Sequence, residues 1–85
     1  MNPVRDNQMY YVYVLQSLSD KRWYTGSTDD LRKRFIEHNL GRVYSTTGRA
    51  PFKLIYYEAS LNQSDARARE KYLKTGMGKR FIKNR

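Results

Sequence analysis

Apolar positions along the chain fall into three short runs separated by a hairpin turn and a helical stretch. MYYVYVLQ at 9–16 is dense in β-branched and aromatic residues and predicts a strand. SLSDK at 17–21 is turn material, and RWYTGS at 22–27 predicts the returning strand of a hairpin. Beyond it the period changes. Leu31, Arg34, Phe35 and His38 stand at i, i+3, i+4 and i+7, which is one face of a helix. Thr28 is the expected N-cap, with Asp29 and Asp30 in a first turn whose dipole favours negative charge. Gly41 supplies the left-handed stop. GRVYSTTGRAP at 41–51 is a loop, and FKLIYYEA at 52–59 predicts a third strand. Asn62 or Ser64 then caps a helix over about 65–74, which Gly76 and Gly78 break. GKRFIKNR is expected to be a basic tail with a helical turn or two. The order β-β-α-β-α-α predicts an α+β fold, a small three-stranded, mainly antiparallel sheet flanked by helices.

The most informative positions are those where charge falls on a face patterned for the core. Arg34 and His38 occupy two of four inward positions in the first helix. Ala66, Arg69, Glu70 and Leu73 make the same pattern in the second. Burying an unpaired charge costs several kcal/mol, so such groups need a partner, a metal or a place at the edge of the core. Taken in isolation, an ion pair between the helices is the better explanation of the placement. In the sheet, Tyr13 and Leu15 alternate with Val12 and Val14, and Tyr24 directly precedes Thr25-Gly26. Gly26 leaves space where a phosphate or a backbone can approach.

Charge narrows the choice of partners. Seventeen Lys and Arg against eight Asp and Glu give a formal net charge of +9 in 85 residues. A small domain this basic usually meets a polyanion, and counterion release from nucleic acid is the commonest reason. Eight tyrosines interleaved with the basic residues suit bases and sugars. The absence of cysteine rules out disulfides and thiolate metal sites. The longest apolar run is too short to span a bilayer, and MNPVRDNQ lacks a secretory signal's apolar stretch. The expectation is one domain over 1–85 with its core at about 9–84, a loose lead-in at 1–8, no membrane contact and a cytoplasmic location.

Four segments in order resemble the GIY-YIG nucleases: VYVL at 12–15, YTG at 24–26, RKR at 32–34, and the helical Glu70 within ARAREKYLK at 66–74. That family includes homing endonucleases, some restriction enzymes and the incision domain of bacterial excision-repair nuclease. The resemblance covers about 9–84 and is strongest to small standalone members. It implies catalytic roles for Tyr13, Tyr24, Arg34 and His38, and for Glu70 as the one metal-binding carboxylate, holding a single Mg²⁺ or Mn²⁺. Two departures stand out. The first motif lacks its glycine, with Tyr11 or Val12 in its place, and Ser27 follows Gly26 where excision-repair members often carry lysine. Gly26, Ser27, Lys33, Arg42, Arg49, Lys74 and Lys79 are candidate substrate contacts, with Arg80 and Lys83 beside them. The implied activity is metal-dependent endonucleolytic hydrolysis, with DNA favoured over RNA, in DNA repair or processing. A protein partner for targeting is a further expectation. The alternative is a nucleic-acid-binding module of the same fold with little catalysis.

Overall fold

The computed structural model describes residues 8–85. Its elements are β1 (Tyr10–Ser17), β2 (Trp23–Thr28), α1 (Leu31–Asn39), a 3₁₀ turn at Tyr44–Thr46, β3 (Phe52–Ser60), α2 (Gln63–Leu73) and α3 (Gly76–Lys83). The strands form one sheet in the order β2-β1-β3, and β1 pairs antiparallel with both neighbours. The predicted α+β architecture is therefore the observed one. The expected lead-in at 1–8 lies, Gln8 apart, outside the described residues. No helix among the described residues is long and apolar enough to cross a membrane.

Strand alternation divides the interior into two halves. Val12 and Val14 face α2 and α3, where they pack with Ala66, Leu73 and Ile82. Tyr13 and Leu15 point the other way and pack with Phe52, Tyr24, Leu31 and Phe35. All four of these β1 residues are buried, so the central strand is the wall between two small cores. That is why 10–15 reads as a nearly unbroken apolar run in the sequence.

The start of the first helix differs from the sequence reading. Thr28 remains in β2, where its hydroxyl accepts from the Asp30 N–H at 3.1 Å. Asp30 is the cap of α1, accepting from the Lys33 N–H at 3.1 Å, and the first turn of the helix carries no acid. At the second helix Asn62 is the cap, accepting from the Ser64 and Asp65 amides.

The C-terminal segment forms the third helix of the predicted order, eight residues long and starting at Gly76, within the stretch expected to break the second helix. Thr75 caps it through the Gly78 amide at 3.1 Å. Gly78 lies inside this helix because a Cβ there would collide with the Tyr72 carbonyl and sit 2.5 Å from Leu73 Cα. The glycine that looked like a breaker is what lets α3 close on α2.

Candidate active site

Three side chains form a buried hydrogen-bonded line on the α1 side of the sheet. The Tyr13 hydroxyl lies 2.8 Å from His38 Nε2, and His38 Nδ1 lies 2.7 Å from Thr46 Oγ1. Thr46 Oγ1 is also 3.3 Å from the Val43 carbonyl. A carbonyl only accepts, so Thr46 donates to it and receives the proton of His38 Nδ1. That leaves Nε2 as the acceptor for the Tyr13 O–H. His38 and Thr46 are fully buried and Tyr13 nearly so. Burial, reinforced by the Arg34 charge, lowers the His38 pKa to about 4. Burial also raises the Tyr13 hydroxyl well above its ordinary range, with Tyr24 adding to the effect and Arg34 opposing it. Both groups are thus neutral near pH 7, and the line is a fixed pair of oriented dipoles.

Gly26 makes this arrangement possible. It is the cross-strand partner of Tyr13, and a Cβ on it would stand 2.6 Å from the Tyr13 hydroxyl oxygen and 3.0 Å from the Tyr24 ring. The space it leaves is filled by Tyr13. This corrects the sequence reading, in which a phosphate or another backbone used that space. Tyr24 packs beside the pair, its ring centroid 5.0 Å from that of His38, and is only partly buried.

Glu70 approaches from the other layer. Its Oε1 accepts from the Ser27 hydroxyl at 2.7 Å, and its Oε2 pairs with Lys74 Nζ at 3.0 Å. Arg34 stands at the margin of α1, its side chain 41% exposed and 3.8 Å from Glu37. It lines a cleft of about 240 Å³ with Ser27, Thr28, Gln63 and Arg67. No ion pair joins Arg34 or Arg69 to Glu70 among the described residues. The interhelical pair that the sequence left open is not formed. Arg69 instead forks onto Glu58 of β3, at 2.6 and 3.2 Å, and that contact chiefly holds the Glu58 carboxyl below its usual range.

Among the described residues no group of three or more histidines or acids stands together as a metal cage. Glu70 is the acid that reaches Ser27 of this cleft, and the lining itself adds a second carboxylate, Asp29. This suits an ion that keeps several waters and takes one or two carboxylates, provided Lys74 yields its oxygen.

The candidate substrate contacts separate into groups. Lys33 and Arg42 line a cleft of about 590 Å³ with Arg34 and Glu37. Ser27 and Lys74 are partners of Glu70. Arg49 is elsewhere, paired with Asp20 at 3.3 Å and close to Lys79 and Lys83 in a separate groove. Sequence reasoning missed Thr46, which sits in an irregular loop with no periodicity to mark it. It also missed the Glu58–Arg69 pair. Glu58 follows an alternation in β3 that shows its face, and that was the available signal.

Residues 9–83 match the GIY-YIG catalytic domain, and the chain belongs to this nuclease-type family. Its relatives are small proteins of the group called UPF0213. One from Clostridium perfringens is 45% identical over 67 residues, covering 78% of this chain and 71% of its own. Another, from Haloquadratum walsbyi, is 39% identical over 70 residues, covering 81% and 78%. The solution structure of a UPF0213 protein from Bacillus halodurans superposes with a TM-score of 0.56 at 32% identity, over 89% of this chain and 83% of that one.

Proposed function

We propose that this protein is a metal-dependent endonuclease that hydrolyses phosphodiester bonds in DNA, acting in the cytoplasm in DNA repair or processing. The observation that carries the reading is the placement of Arg34, Ser27 and Glu70 around one end of β2, with Tyr24 and the Tyr13–His38 pair on the layer behind it. Arg34 is always charged and offers a planar set of donors matched to phosphate oxygens. Of Tyr13 and Tyr24, Tyr24 is the one that solvent reaches, and as a phenolate it would be placed to take a proton from an attacking water. Tyr13 is locked on His38 and buried, which suits it to fix the position of Tyr24 and Arg34 rather than to exchange protons. Glu70 would hold the single Mg²⁺ or Mn²⁺; such an ion supplies charge neutralisation at the phosphate and at the departing 3′ oxygen. Lys33 and Arg42, beside Arg34, would hold the flanking backbone, and a protein partner would direct the domain to its target.

One observation favours a second reading, a binding module with little catalysis: both Glu70 oxygens already have partners, Ser27 and Lys74. Two measurements separate them. Labelled single-stranded, duplex and branched DNA is incubated with Mn²⁺ and wild type, Glu70→Gln or Arg34→Ala. Mn²⁺ binding to each protein is followed separately by water-proton relaxation. The nuclease reading expects products that both substitutions reduce at least 100-fold, and a Mn²⁺ signal lost in Glu70→Gln. DNA binding without cleavage, and no Mn²⁺ signal in wild type, would establish the module instead.

A further inference from the structure

A second basic site lies at the opposite end of β2. Lys21, Arg22, Trp23, Arg49, Lys79 and Lys83 line an open groove between the β1–β2 turn and α3, about 760 Å³ in volume. Five of these six are cations. The acid beside them, Asp20, is taken up by Arg49 and by the Arg22 amide at 2.9 Å. Lys21, Arg22, Lys79 and Lys83 are in no ion pair among the described residues. Lys79 and Lys83 are one helical turn apart on α3, and the Lys83 ammonium is 6.0 Å from the centre of the Trp23 ring. A concave, unneutralised cluster of this kind around an aromatic ring fits a sugar-phosphate strand with a base or sugar against the ring.

The groove is also aligned with the candidate active site. Trp23, Thr25 and Ser27 are opposite Gln16, Val14 and Val12, so all three project to the α2–α3 side of the sheet. Trp23 and Ser27 are four residues apart, about 13 Å at the usual strand rise. Glu70 holds Ser27 at one end and Lys83 covers Trp23 at the other. We infer that this groove is a nucleic-acid anchoring site, which grips the phosphate backbone of a strand a few nucleotides away from the position cut at Glu70. The inference rests on the nuclease reading for the cut but not for the binding.

Trp23 is the chain's only tryptophan, so its fluorescence reports on the groove directly. The test titrates a 12-nucleotide single strand into Glu70→Gln protein, with and without Lys79→Ala and Lys83→Ala together. Trp23 emission and the anisotropy of the labelled strand are recorded over a series of salt concentrations. Both lysines are exposed, and circular dichroism verifies the fold of each variant. A charge-matched control replaces Arg32 and Lys71, exposed residues outside the groove. The site predicts that the strand changes Trp23 emission. The groove variant should bind at least tenfold more weakly, with a shallower salt slope by between one and two, and the control should lose clearly less. Equal losses in groove variant and control, or strand binding that leaves Trp23 emission unchanged, would overturn it. So would an emission change produced by anionic phosphatidylserine vesicles and not by the strand. The two readings fail separately. A groove that binds while no Glu70-dependent cleavage exists removes only the nuclease, and Glu70-dependent cleavage unaffected by the lysine changes removes only the anchor.

Discussion

Gly26 shows how much one absent methyl can decide. With alanine there, the new carbon would meet the Tyr13 hydroxyl at 2.6 Å, closer than real contacts allow. Tyr13 would have to leave His38, and overpacking of this sort costs about 1–3 kcal/mol. Urea unfolding of Gly26→Ala should show that loss, and activity should fall further than the stability loss explains. His38 gives a second prediction, in pH. Its folded pKa of about 4 lies below the ordinary 6.5. Below 6.5 the unfolded chain therefore binds a proton that the folded protein refuses, and stability declines as pH falls towards 4. Between pH 7 and pH 5 this should remove about 2 kcal/mol, a slope that His38→Gln abolishes. A chemical-denaturation series at fixed salt measures both. The burial of Tyr13 and His38 was legible from strand alternation and helical spacing, whereas Arg34, patterned inward by the same spacing, stands at the margin of α1. Gly26's purpose was not legible, since it depends on a cross-strand neighbour 13 positions away in sequence. Thr46 was not either, since irregular loops carry no period.

At the scale of elements, the three strands were legible to within a residue at each end, because β-branched and aromatic runs have few alternative uses. The ends of the helices were less so. Thr28, Asp29 and Asp30 are all competent to start α1, and only the path of the chain out of β2 chose Asp30. Helix α3 is expected as a turn or two, and its glycines lower helix propensity. That local cost is outweighed by the close approach that Gly78 permits and by burial of Ile82. Two changes follow for this helix. Thr75→Ala, which removes the cap, should destabilise the protein by about 1 kcal/mol. Gly78→Ala should cost more, because the obstruction is backbone, the Tyr72 carbonyl and Leu73 Cα, and backbone yields less than side chains do. Limited proteolysis should then cut near residues 74–78 in Gly78→Ala before it cuts elsewhere.

For the whole molecule, the net charge of +9 predicts that association with DNA weakens steeply with salt. Each phosphate contact on a single strand contributes about −0.7 to the slope of log K against log salt. Engagement of Arg34, Lys33, Arg42 and the four unpaired groove cations together would give roughly −5, measurable by anisotropy, and a slope near −1 would mean that few of them engage. Composition made the charge legible but not its division into two places, which depends on where the hairpin turn and α3 meet. The wall that β1 builds between the two half-cores has a consequence of its own. Tyr13 and His38 draw their packing from one side, while Ser27, Glu70 and Trp23 face the other. Changes more than about 7–10 Å apart that share no neighbours usually add in free energy. Substitutions around Trp23 should therefore add in free energy to substitutions at Tyr13 or His38, each half-core answering for its own side of the sheet.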